Sequence, residues 1–291
     1  MKSNLWITEK QTEDLLISFR VKETLHEEQT DFQHLALVDT YTYGRMLFLD
    51  NCVMTSIKEE FVYHEMITLV ALNTHPHPEH VLVIGGGDGG AIREIVKHPK
   101  VKTATLVEID GKVVKYSQKY LPEIAAALHN PKVTVLLDDG IKHIKENKNK
   151  YDVIIIDSTD PVGPAEGLFA ADFYENVYEA LREEGIMVAQ TESPFLEKDQ
   201  ELIKNIHEEL QKLYPIVKLY LAYIPVYPTG MWSFTLASKK HDPLQVRSED
   251  IAETNTRYYN KNIHFAAFAL PNFVADLFKR KERAKTVEAV K

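Results

Sequence analysis

The chain has 291 residues, 44% hydrophobic and 26% charged, enough to bury the core of two domains, or of one large α/β domain with an extension, without disulfide staples. Its 34 basic and 43 acidic residues give a net charge of −9, so a nucleic-acid backbone is repelled on average and small cations are attracted. The single cysteine, Cys52, excludes a disulfide framework and a cysteine-cluster zinc site. The polar N-terminus and the lack of a long apolar run point to a cytoplasmic protein with no membrane partner.

In chain order, residues 1–56 show no long helical pattern beyond a turn near 8–16. Segments 15–25, 31–40 and 45–49 are rich in β-branched and aromatic residues and read as strands, with Tyr43-Gly44-Arg45 and Asp50-Asn51 as turn signals. Residues 1–56 are therefore expected to form a small, mostly antiparallel β-domain, and 57–291 a second domain. Residues 58–72 switch to helical spacing, with Phe61, Met66, Leu69 and Leu72 near one face. The prolines of THPHPEH end that helix, and His75 and His77 there read as surface loop residues.

From there, short apolar runs at 81–84, 104–109, 133–137, 153–156 and 186–189 alternate with helical spacing at 91–97, 112–120, 141–146 and 171–183. Strands that are apolar throughout and separated by helices imply a parallel sheet covered on both faces, so the fold class is α/β, doubly wound and Rossmann-type. A helix at 197–213 and strands at 217–224 and 231–237 follow, and 280–291 reads as a solvated tail.

Ligands of such sheets sit beyond the carboxyl ends of the strands. The first strand runs into Gly85-Gly86-Gly87-Asp88-Gly89-Gly90, the second into Glu108-Ile109-Asp110, the third into Asp138-Asp139-Gly140 and the fourth into Asp157-Ser158-Thr159-Asp160-Pro161. Each end delivers a carboxylate, so the pocket is expected to be acidic. Gly85, Gly87 and Gly90 satisfy a GxGxxG pattern between a strand and a helix, and Glu108 stands where an acid accepts from both hydroxyls of a ribose. A pyrophosphate would be repelled by Asp88, so a cationic nucleoside such as an S-adenosyl compound suits the loop better than a dinucleotide. Asp139 and Gly140 would then meet the adenine. Asp157 and Asp160, three apart after a buried strand, could hold the two ends of a diamine; alternatively Asp160-Pro161 is an ordinary turn and Asp157 a helix cap.

The stretches YHEM (63–66), VLVIGGGDGG (81–90), VEID (107–110), DDG (138–140), DVIIIDSTDPVGPAEGLF (152–169) and IPVYPTG (224–230) together resemble the polyamine aminopropyltransferases, the spermidine synthase family, across about residues 15–280. The resemblance implies an N-terminal β-domain, a methyltransferase-like catalytic domain, and transfer of an aminopropyl group from decarboxylated S-adenosylmethionine to putrescine, giving spermidine and 5′-methylthioadenosine. Decarboxylated S-adenosylmethionine is then a co-substrate, with no separate cofactor and no metal. By family position Gln33, Gly85, Gly87, Glu108, Asp139, Gly140 and Pro164 would hold the nucleoside. Tyr63, His64, Asp88, Asp157, Ser158, Thr159, Asp160, Gln190 and Tyr227 would meet the amines, and Asp157 would accept the proton. Some family members carry glutamine at the place of His64. The run 158–167 reads as a loop that could cover bound substrates, and the family forms homodimers or homotetramers. The residues alone leave methyl transfer to a small cationic acceptor, silent nucleoside or polyamine binding, and dinucleotide-dependent oxidoreduction as alternatives, and cadaverine, agmatine or spermidine as alternative acceptors.

Overall fold

Antiparallel pairing organises the N-terminal segment in the computed structural model, which describes residues 4–158 and 171–279. Strands β1 (Trp6–Lys10), β2 (Leu16–Gln29), β3 (His34–Thr40), β4 (Gly44–Leu49) and β5 (Cys52–Ser56) form a meander in that spatial order. The sequence pattern missed β1 and β5. Each has five residues, and their extended state comes from ladders along β2 and β4 rather than from their own composition. Leu35, Leu37 and Leu47 pack on Val113, Leu121 and Ile124, while Ala36, Val38, Met46 and Phe48 join the central core on the opposite face. The meander is thereby fastened to the rest of the chain through buried apolar area.

The second sheet contains β6 (His80–Gly85), β7 (Thr103–Glu108), β8 (Val133–Leu137), β9 (Tyr151–Asp157), β10 (Leu181–Gln190), β11 (Ile216–Tyr223) and β12 (Met231–Ser238). Their order is β11-β12-β10-β9-β6-β7-β8, and β12 runs antiparallel between β10 and β11. Val81, Val83, Val153 and Ile155 pack into one core and Leu82, Ile84, Ile154 and Ile156 into another. This alternation is why the strands are apolar throughout: both faces are covered. The helices among the described residues are α1 (Phe61–Thr74), α2 (Gly90–Lys97), α3 (Gly111–Tyr120), α4 (Pro122–Ala125), α5 (Gly140–Glu146), α6 (Ala171–Ala180), α7 (Glu197–Leu213), α8 (Lys261–Ala266) and α9 (Asn272–Ala275). Among the described residues no helix is long and apolar enough to cross a membrane.

Three expectations need correction. Helix α1 does not have a single buried face: Val62 through Thr74 are all buried, because α1 is packed against α2, β9, β10 and β11. The helical reading of 171–183 stops at Ala180, since Leu181 already pairs with Tyr151 of β9. His75 is not a surface residue but 6% exposed, and burial pushes its pKa down to about 4. The expected tail 280–291 lies outside the described residues.

Candidate active site

The strand order reverses between β6 and β9, and beyond their carboxyl ends opens a cavity of about 430 Å³. That volume suits a small molecule, for which sites of roughly 300–1,000 Å³ are usual. Gln33, Tyr63, His64, Gly85, Gly87, Asp88, Glu108, Asp139, Gly140, Asp157, Ser158 and Tyr227 all line it. Gln190 instead lines an annex of about 40 Å³ shared with Tyr63, Ser158 and Tyr227. Its side chain accepts from Glu192 N–H and Trp232 Nε1–H and donates to the Ser158 carbonyl, joining β10, β12 and the end of β9. Thr159, Asp160, Pro164 and the remainder of the expected covering loop lie outside the described residues.

Asp157 closes β9 at the centre of the cavity. Its Oδ1 accepts from the Tyr63 hydroxyl at 2.7 Å, whereas its shielded Oδ2 has no hydrogen-bond partner among the described residues. Burial, reinforced by the charge of Asp88, pushes the Asp157 pKa up to about 6. Gly86, at φ +65°, donates its N–H to the Asp157 carbonyl, and a Cβ at Gly86 would come within 2.6 Å of Oδ2. The glycine loop therefore keeps backbone beside the carboxylate without covering its unpaired oxygen.

Asp88 is engaged at both oxygens. Oδ1 accepts from Gly90 N–H at 2.7 Å, at the start of α2, and Oδ2 faces His64 Nε2 at 3.3 Å. His64 reaches this point because Gly90 has no side chain; a Cβ there would collide with the imidazole ring. On the other side, His64 Nδ1 meets Glu60 Oε2 at 2.6 Å. Burial opposes a charged ring, but Asp88 and Glu60 outweigh it and raise the His64 pKa well above its ordinary value.

Glu108 accepts from Gly87 N–H at 3.1 Å and from Asp110 N–H at 2.9 Å, and burial pushes its pKa up to about 7. Each oxygen keeps a lone pair for a hydroxyl donor. Gln33 donates to Asp110 Oδ2 at 3.1 Å, where Thr30 also donates, while Asp110 Oδ1 caps α3. Asp110 thus ties the β2–β3 turn to the Glu108 side of the cavity. Asp139 caps α5 by accepting from Ile141 N–H. The expected row of acids is consequently not a pool of equivalent charges: backbone amides and His64 engage Asp88, Glu108, Asp110 and Asp139, and the shielded Oδ2 of Asp157 has no partner among the described residues. No group of three or more His, Cys, Asp or Glu side chains among the described residues could hold a metal ion.

Sequence reasoning missed the apolar wall supplied by the first sheet, including Leu47, Leu49 and Met54, and the ring of Phe32. Such residues look like any core residue. It also missed Glu60, although a glutamate four residues before a helical histidine is a readable spacing.

The spermine/spermidine synthase domain matches residues 60–248, and the spermidine synthase tetramerisation domain matches residues 5–56. The chain belongs to the spermine/spermidine synthase family. It is 57% identical over 277 residues to the polyamine aminopropyltransferase of Bacillus subtilis (strain 168), covering 95% of this chain and 100% of that one. Identity to the polyamine aminopropyltransferase of Desulforudis audaxviator (strain MP104C) is 55%, over 95% of this chain and 100% of that one. A spermidine synthase solved in complex with the transition-state analogue AdoDATO superposes with a TM-score of 0.91 at 38% identity, covering 95% of each chain. The spermidine synthase of Thermotoga maritima superposes with a TM-score of 0.89 at 37% identity, over 95% of this chain and 94% of that one. This family member is accordingly a transferase, a polyamine aminopropyltransferase, with the methyltransferase-like fold preceded by an antiparallel sheet.

Proposed function

We propose that the chain transfers the aminopropyl group of decarboxylated S-adenosylmethionine to putrescine, releasing spermidine and 5′-methylthioadenosine, with Asp157 as proton acceptor. The observation that carries this reading is the shielded Oδ2 of Asp157, beside Asp88 in the cavity and without a hydrogen-bond partner among the described residues. Glu108, Gln33, Asp139 and Gly140, with Pro164, hold the nucleoside, and Tyr63, His64, Asp88 and Tyr227 border the amines. Ser158 and Gln190, with Thr159 and Asp160, complete the acceptor end.

An alkylamine has a pKa near ~10.4 and arrives protonated, so it must lose a proton before attack. The raised Asp157 pKa makes its carboxylate a better acceptor than an ordinary aspartate. The amine nitrogen then bonds to the methylene carbon while the carbon–sulfur bond breaks. The electron pair goes to sulfur as a neutral thioether and the new secondary nitrogen keeps its two protons as an ammonium, the proton lost before attack being the one that Asp157 accepted, so no general acid is required. Alignment of nitrogen, carbon and sulfur can supply roughly 7–11 kcal/mol of the acceleration. The nucleoside is a co-substrate, and no further cofactor or metal enters. The match of residues 5–56 to a tetramerisation domain supports a homo-oligomer, and the family membership supports a cytoplasmic enzyme with neither nucleic acid nor membrane as partner.

The test is product formation from decarboxylated S-adenosylmethionine with putrescine, cadaverine, agmatine or spermidine supplied separately. Spermidine and methylthioadenosine with putrescine, lost in Asp157→Asn, is the expected result. Faster turnover of another amine would replace putrescine as acceptor. No product with any amine, despite tight nucleoside binding, would overturn the reading.

A further inference from the structure

We propose that Glu60 is a positioning residue of the reaction centre, holding His64 as an imidazolium against Asp88 and thereby setting the pH at which Asp157 becomes a carboxylate. The inference rests on the reading of Asp157 as proton acceptor. Glu60 and Arg93 do not line the cavity, so neither touches substrate.

The geometry begins with a histidine that has carboxylates at both ring nitrogens. Nδ1 lies 2.6 Å from Glu60 Oε2 and Nε2 lies 3.3 Å from Asp88 Oδ2, on a residue 1% exposed. A neutral imidazole carries one N–H and would leave one nitrogen lone pair facing a carboxylate; the doubly protonated ring donates to Glu60 and presents its second N–H side to Asp88 as an ion pair. Glu60 cannot turn away, because Arg93 grips it with Nη1 and Nη2 at 2.8 and 2.7 Å. Arg93 is itself braced by Glu94 at 2.7 Å, and Glu94 also accepts from Lys97. The ring has one seat, over Gly90.

The charges around the centre give this arrangement a consequence. His64 faces Glu59 and Glu60 from the start of α1, Asp88 from the glycine loop and Asp157 from β9. Asp157 faces Asp88, His64 and the hydroxyls of Tyr63 and Tyr227. Arg93 comes from α2 and meets Glu60 rather than the ring. With His64 charged, the imidazolium offsets Asp88, and Asp157 loses its proton at a lower pH. With His64 neutral, Asp157 stands beside an uncompensated carboxylate and keeps its proton to a higher pH.

The experiment combines a histidine NMR titration with pH–rate profiles of the wild-type chain, Glu60→Gln, His64→Gln and the double variant; His64→Gln identifies the His64 resonance. In the wild type, His64 is expected to titrate well above an ordinary histidine. Glu60→Gln should bring its titration down towards neutrality and move the acid limb of kcat/KM upward by about one pH unit. Because Glu60 acts through His64, the double variant should shift the limb no further than His64→Gln alone. A wild-type His64 that titrates near its ordinary value would overturn the proposal, and so would a Glu60→Gln variant whose rate falls equally at every pH. Additive limb shifts in the double variant would overturn it as well. If Glu60→Gln does not fold, the wild-type titration and the limb of His64→Gln still decide. Failure of the functional reading looks different: no aminopropyl product forms, while the His64 titration still moves with Glu60→Gln.

Discussion

The two sides of α1 treat buried carboxylates in opposite ways. On one side Glu65, 2% exposed, accepts the backbone N–H groups of Arg257, Tyr258 and Tyr259 at 2.8, 2.8 and 2.7 Å. On the other, Tyr63 and His64 point at Asp157 and Asp88, and Asp157 retains an oxygen with no partner among the described residues. A buried carboxylate surrounded by donors anchors chain; one with a lone pair left over is held in a high-energy state that a bound amine can relieve. Three consecutive residues of one helix turn thus separate fold stability from reactivity.

The comparison breaks most sharply at Asp157. Asp157→Asn is expected to lower turnover by about 10²–10⁴-fold. The same change should raise the melting temperature at pH 8. Because the folded pKa is raised to about 6 from an ordinary aspartate's 3.8, the folded state binds the proton more tightly than the unfolded chain, so this group's contribution to stability falls as pH rises through that window. The gain from Asn should therefore shrink as the pH is lowered towards 4; a melting temperature that drops at pH 8 would mean that Asp157 is structural.

Gly90→Ala tests the seat of His64. Displacing the ring should lower kcat/KM by about 10²-fold and lower the melting temperature as well, since Glu60 and Asp88 lose a buried partner and the better helix former in α2 offsets only part of that. Unchanged kinetics would show that the ring need not sit there.

Glu65→Gln addresses the opposite side of α1. It should cost about 3 kcal/mol in urea unfolding, as charge-assisted bonds to three amides are weakened, and leave kcat per folded molecule unchanged. A loss of turnover at constant stability would erase the distinction between the two sides.

Tyr63→Phe is the finest probe. Removing the hydroxyl from Asp157 Oδ1 should reduce kcat about tenfold, the worth of one hydrogen bond to a charged group. It should also move the acid limb, expected near pH 6, upward, because that bond favours the carboxylate. A limb that stays in place would assign Tyr63 to packing.

Much of this was legible before any coordinates. The apolar runs that became β6 to β10 were visible because strands covered on both faces must be apolar throughout, and the carboxylates after them followed from where such strands end. Glu108 and Asp157 could be named because they sit at those ends, and Asp88 because an acid among glycines is chemically conspicuous. Strands β1 and β5 were not legible, since their state depends on partners along β2 and β4. Leu47, Leu49 and Met54 carry no chemical mark that separates a cavity wall from a core.

The sequence by itself determined which groups could titrate, their order along the chain and the sheet that would bring them to one edge. Local pattern suffices for that, because side-chain period and strand ends are local properties. Only the tertiary structure decided which carboxylates are satisfied. Glu65 finds three amides 192 to 194 residues away, Asp88 finds His64 across the glycine loop, and Asp157 Oδ2 finds no donor among the described residues. Whether a buried charge is an anchor or a reagent depends on donors within about 3 Å, and those arrive from segments that the local sequence cannot place.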